Sequence, residues 1–182
     1  MKFQVRDLAY IALGAALIAV CSWISIPTLV PFTLQTFAVC LISALLGWKL
    51  GLVSVAVYIA LAAVGVPVLS GFKGGIAALM GPTGGYVVGF LFTAFIVGFA
   101  AEKWNRKAWI LAAAMVVGIL VCYAFGTAWF VPVYSRAKGP IGVGTALMMC
   151  VVPYLIPDAV KIALATFLVG RIYPLIHRRS ET

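Results

Sequence analysis

Residues 154–170, "YLIPDAVKIALATFLVG", are apolar enough to lie in a bilayer, yet they hold Asp158 and Lys161. A charge at the centre of a membrane helix costs about 3 kcal/mol on insertion scales unless it is compensated. Three residues apart, the two side chains share one helix face, and a neutral pair is cheaper to hold among apolar neighbours than either charge alone. Pro157 suits a helix start, where its missing N–H is harmless, and this puts Asp158 in a first turn that favours negative charge. If the helix leaves the membrane near Arg171, Asp158 lies about 20 Å from that end at 1.5 Å rise per residue, in the outer half of the bilayer. Two readings stand. The pair is either an ion pair pinning this helix to its neighbours, or one strong acceptor beside one strong donor in an apolar site. The second arrangement suits a compact ligand with N–H donors and a carbonyl, such as a cyclic urea or amide.

The rest of the chain has the same character. Of 182 residues 65% are hydrophobic and 9% charged, and the mean hydropathy is +1.17, far above that of a soluble domain. The net charge of +9 sits in short clusters between long apolar runs, with no basic stripe through aromatic platforms. It therefore reads as membrane topology, and no nucleic-acid partner is expected. Lys2 and Arg6 before "LAYIALGAALIAVCSW" imitate a signal peptide, but Val20 stands where a lipoprotein box wants a small residue before Cys21. The segment reads as a first membrane helix.

Six runs meet the length of a span: 8–26, 33–46, 50–66, 84–101, 108–129 and 157–174. The expected fold is an all-α integral membrane protein, a six-transmembrane-helix bundle with residues 1–182 as one domain. Six spans put both termini on one side. That side carries Lys2, Arg6, Lys49, Lys103, Arg106, Lys107, Arg171, Arg178 and Arg179, against Lys73, Arg136 and Lys138 on the other, so both termini are predicted cytoplasmic. The outer connections, 27–32, 67–83 and 130–155, are long and rich in Gly and Pro, and predict a lidded outer face. Within the last, "IGVGTALMMCVVPYL" predicts a short helix lying on the bundle. The paired glycines Gly74, Gly75 and Gly84, Gly85 read as lid hinges.

Around the charged pair, Phe32, Tyr86, Trp129, Phe130 and Tyr154 fall near the outer ends of spans, either as an interfacial belt or as pocket walls. Thr33 and Gln35 are positioned for hydrogen bonds or for capping. On the first span Ala12 and Ala16 form one small-residue line and Ala15 and Ala19 another, either for internal packing or for docking a separate membrane protein. Nothing supports catalysis, a metal site or a cofactor. "GFKGG" lacks the phosphate-loop pattern, the single histidine His177 lies in the basic tail, and Cys21, Cys40, Cys122 and Cys150 are scattered. Uptake driven by ATP would need a partner.

Three stretches, "VPFTLQTFAV", "GPTGGYVVGF" and "PDAVKIALA", in this order across nearly the whole chain, resemble the BioY family, the biotin-specific substrate-capture components of energy-coupling factor (ECF) transporters. The resemblance implies a six-helix fold in a prokaryotic cell membrane and one biotin bound near the outer face. It also implies partnership with a transmembrane coupling protein and two ATPase subunits. Asp158 and Lys161 would contact the ureido head, and Ala12 and Ala16 would face the coupling protein. Lys73, or backbone N–H groups of the glycine-rich connection around Gly75, are the candidates for the ligand carboxylate. The competing reading is a stand-alone secondary transporter in which Asp158 cycles a proton. The lack of an internal repeat and of a second acidic group within the spans counts against it.

Overall fold

The structure, a computed structural model, describes residues 4–28 and 30–178; Lys2 and Arg179, counted above for topology, lie outside them. Helix α1 (Val5–Trp23) starts where the Asp7 carboxylate accepts the Gln4 backbone N–H at 3.0 Å. Its buried positions, Ile11, Gly14, Ala15, Ile18, Ala19 and Ser22, recur at the helical period. The first span ends before the expected residue 26. There the chain pairs instead as a short antiparallel ribbon, β1 (Ser25–Ile26) with β2 (Phe32–Thr33), which satisfies backbone groups beside Pro27.

Helix α2 (Gln35–Ala63) is a helical hairpin, turned at Gly47, whose φ of 80° breaks the helical run. The Gln35 side-chain amide donates to the Tyr58 hydroxyl at 2.6 Å, although 23 residues of straight helix would part them by about 35 Å. Gly51 packs so tightly on the opposite limb that a Cβ there would lie 2.8 Å from the Ser43 Cα. At the turn the left-handed backbone demands glycine, and a Cβ on Gly47 would also fall 1.9 Å from a Glu102 carboxylate oxygen, so that side chain would have to shift. Gly47→Ala is therefore expected to cost ~1–3 kcal/mol from the left-handed backbone alone. The thermal midpoint of the purified protein should fall, and adding Glu102→Ala should restore only part of the loss. An unchanged midpoint would contradict the turn.

The remaining elements are α3 (Ile76–Leu79), α4 (Gly84–Lys103), α5 (Ala108–Lys138), α6 (Val143–Cys150), a 3-10 turn (Val152–Tyr154) and α7 (Leu155–Arg178). Two expectations are corrected. Helix α5 does not stop near residue 129 but runs through Pro132 to Lys138, because Phe130, fully buried and stacked 5.1 Å from Tyr134, needs the helix to continue. That packing outweighs a proline penalty of ~3 kcal/mol. The connection 130–155 is consequently mostly helical rather than a loop, with α6 forming as expected within "IGVGTALMMCVVPYL". Among the described residues five helices are long and apolar enough to cross a membrane, and α2 is the one folded on itself.

The hairpin turn, the α4–α5 connection and the later part of α7 meet at one end of the bundle. Arg106 joins them. Its Nε and Nη2 donate to the Ala44 and Leu45 carbonyls at 3.0 and 3.3 Å, and its guanidinium lies 3.7 Å from the Tyr173 ring centroid. These contacts satisfy carbonyls orphaned where the first limb of α2 ends. Partial burial pulls the Arg106 pKa below its ordinary value, against the opposing influence of Tyr173 and Glu102. Asn105 and Arg106 both adopt left-handed backbone, φ 47° and 55°, an uncommon state for non-glycine residues that turns the chain back toward this end.

Candidate functional site

At the opposite end, the loop 69–83 and the β1–β2 ribbon roof a cavity of ≈ 350 Å³ whose walls come from α2, α4, α5 and α7, a volume suited to a small molecule. Asp158 and Lys161 line it and are only 4% and 6% exposed. Lys161 Nζ lies 2.8 Å from Asp158 Oδ1 and donates also to the Thr33 carbonyl at 2.6 Å and the Thr36 hydroxyl at 3.2 Å. It sits 4.3 Å from the Phe32 ring centroid. The Thr36 hydroxyl donates to Asp158 Oδ1 at 3.1 Å, and the Tyr123 hydroxyl donates to Oδ2.

This geometry combines both readings of the pair. Lys161 has three N–H donors and three oxygen partners, so the protein satisfies it and pins α7 to the start of α2. Asp158 accepts three hydrogen bonds where a carboxylate offers about four lone-pair positions, which leaves acceptor capacity toward the cavity. Compensated in this way, the charges are held at depth and still present a polar spot on an otherwise largely apolar wall.

The other expected site residues separate into three groups. Tyr86, Tyr154 and Gln35 line the cavity with Asp158 and Lys161. Each already has partners: the Tyr86 hydroxyl with Thr127 at 3.1 Å, the Tyr154 hydroxyl with the Val30 carbonyl and Thr28, and the Gln35 amide with Thr33 and Tyr58. Lys73 also lines the cavity but is exposed, its backbone bridged to Leu69. Gly75 is not brought to the wall. Its N–H donates to the Ala62 carbonyl at 2.6 Å and its φ of 91° turns the chain into α3, so it shapes the loop, and Ala78 of α3 reaches the cavity instead. Gly84 and Gly85 begin α4 without left-handed backbone. A Cβ on Gly85 would lie 2.2 Å from the Trp129 side chain, so Gly85 permits close packing rather than hinging.

Tyr123 and Thr36, which hold Asp158, escaped the sequence reading, as did the placing of Cys122 and Cys150 on the cavity wall. For Tyr123 a signal existed: a phenol deep in an apolar span must find a hydrogen-bond partner. On α1 the two alanine lines part. Ala15 and Ala19 are buried, beside Gly14, where a Cβ would lie 2.6 Å from the Ser54 hydroxyl, whereas Ala12 and Ala16 face outward.

A sequence model of the BioY family matches residues 1–178. The chain belongs to the BioY family. It is 41% identical over 171 residues to the biotin transporter BioY of Thermotoga maritima, covering 93% of this chain and 97% of that protein. To the probable biotin transporter BioY of Pyrococcus horikoshii it is 36% identical over 170 residues, with the same coverage. Its fold superposes with a TM-score of 0.82 and 30% identity on the crystal structure of the S-component for biotin from an ECF-type ABC transporter, covering 92% of this chain and 90% of that one. Membership in this transporter family, with long apolar helices, makes the chain a membrane protein.

Proposed function

We propose that this chain is the biotin-binding S component of an ECF-type transporter, capturing biotin in the 350 Å³ cavity for import driven by partner subunits. The observation that carries this reading is the Asp158–Lys161 pair on the cavity wall. A ureido group presents N–H donors beside a carbonyl acceptor. One N–H group meets the spare lone-pair position of Asp158, and the carbonyl takes a donor from Lys161, whose 3.2 Å bond to Thr36 is the longest of its three and the easiest to exchange. Tyr86, Phe90 and Tyr154 supply apolar wall for the bicyclic ring, and the carboxylate tail points toward Lys73. In the membrane the two limbs of α2 count as separate spans. This gives six, with both termini on the cytoplasmic side where Lys49, Lys103, Arg106, Lys107 and Arg171 gather. The chain acts as a single substrate-binding unit without catalytic residues, metal or cofactor, and Ala12 and Ala16 meet the coupling protein, which links it to two ATPase subunits.

Uptake of labelled biotin into sealed vesicles tests this. Transport should require the coupling protein and ATPases, and proton-driven uptake by the chain alone would favour the stand-alone transporter. For the tail, Lys73→Ala should weaken biotin about two- to fivefold, as expected for an exposed ion pair of up to ~1 kcal/mol, and should leave an analogue with an amidated carboxylate unaffected. Equal losses for the two ligands would remove Lys73 from that role.

A further inference from the structure

A second cavity, of ≈ 430 Å³, lies between α5 and α7. Ile119 and Ile162 are buried in it, while Val116 and Leu120 on its rim are 44% and 52% exposed, so it opens as a groove on the side of the bundle. Ala159 and Ala163, one helical turn apart on α7, leave the space that larger side chains would fill. Among the described residues only Tyr123 and Asp158 line both this groove and the substrate cavity. They are the partition between the two.

We propose that the groove is a binding site for one hydrocarbon chain of a membrane phospholipid, which thereby backs the rear wall of the substrate cavity. Three features select this occupant. The two polar groups in the lining are already bonded to each other, Asp158 also to Lys161 and Thr36, and the other eight lining residues are apolar, so the groove offers a polar ligand little to bind. From Ala112 to Tyr123 the groove follows α5 for about 16 Å at 1.5 Å per residue, close to the half-thickness of a hydrocarbon core of ~30 Å. It therefore matches a chain from a single leaflet. The surrounding surface, with Val117, Val160, Leu164 and Phe167 exposed, is apolar, as a lipid-facing wall of a membrane protein must be.

The test uses the full chain in phosphatidylcholine nanodiscs with phosphatidylcholine spin-labelled in mid-chain. Electron paramagnetic resonance reads the motionally restricted lipid for the wild type and for Ala159→Phe/Ala163→Phe, which fills the groove. The filled variant is expected to lose about one restricted lipid per chain while keeping its thermal midpoint. Should the double substitution fail to fold, Ala163→Leu adds less bulk and is expected to show a partial loss. The same restricted fraction in the wild type and a folded, filled variant would overturn the site. So would efficient disulfide formation between two copies carrying Val116→Cys in the bilayer, because a second copy would then cover the groove. The readout contains no biotin, so its failure is distinct from failure of the function proposed above.

Discussion

In a chain carrying both Asp158→Asn and Lys161→Met, biotin binding is expected to weaken by at least about 100-fold while the protein remains folded. Hydrogen bonds to charged groups contribute ~1.5–3 kcal/mol each, and the double substitution removes charge from both sides of the ureido site. Either single substitution gives a less clean answer. Asp158→Asn leaves Lys161 with the Thr33 carbonyl and Thr36 but no counter-charge, and Lys161→Met leaves the carboxylate with only hydroxyl donors from Thr36 and Tyr123. Orphaning one member of a buried pair costs ~3–5 kcal/mol, so lost affinity would be mixed with lost stability. The double substitution leaves no orphan charge. Titration calorimetry beside a thermal melt separates the two effects, and a stable double variant with wild-type affinity would make the pair purely structural.

Ala12→Leu together with Ala16→Leu is expected to leave biotin affinity within about twofold of wild type and to abolish ATP-driven uptake. Both alanines face outward, so the added methylenes meet nothing inside the chain, but they hold an approaching helix away from a surface that works by close backbone approach. Ala15→Leu is the contrasting variant. Ala15 is 2% exposed and packed into the core, where overpacking costs ~1–3 kcal/mol, so it should lower stability and binding together. Loss of biotin binding in the Ala12, Ala16 variant with partner assembly retained would reverse the assignment.

The contrast between these alanines marks how far the sequence could be read. Spacing alone generated two equivalent lines on α1. What separates them is the complement on α2, where Ser54 fits against Gly14, and no local pattern reports that. The limbs of α2 are legible because "GWKLG" interrupts two apolar runs, although the left-handed backbone that makes glycine necessary at position 47 and the approach of Glu102 from α4 appear only in the folded chain. The end of α5 is not legible in the sequence, because Pro132 and the charges after it look like a stop, while the burial of Phe130 that carries the helix onward is a tertiary effect. Asp158 and Lys161 stood out because charge in an apolar span demands explanation. Tyr123 carries a weaker form of the same signal, a phenol deep in an apolar span that must find a partner, but the sequence does not say that the partner is Asp158 of another helix. Loop composition alone does not show that the Gly75 N–H is bonded to the Ala62 carbonyl.

In the reading proposed above, the Asp158–Lys161 spot recognises the ureido group of biotin without help from any other subunit. Titration calorimetry on the purified chain alone, with biotin and with an analogue methylated on both ureido nitrogens, tests it most directly. Saturable one-to-one binding of biotin is expected, with at least about a 100-fold loss for the methylated analogue, which can donate no hydrogen bond to Asp158. Equal affinity for the two ligands, or no saturable binding of biotin by the isolated chain, would contradict it.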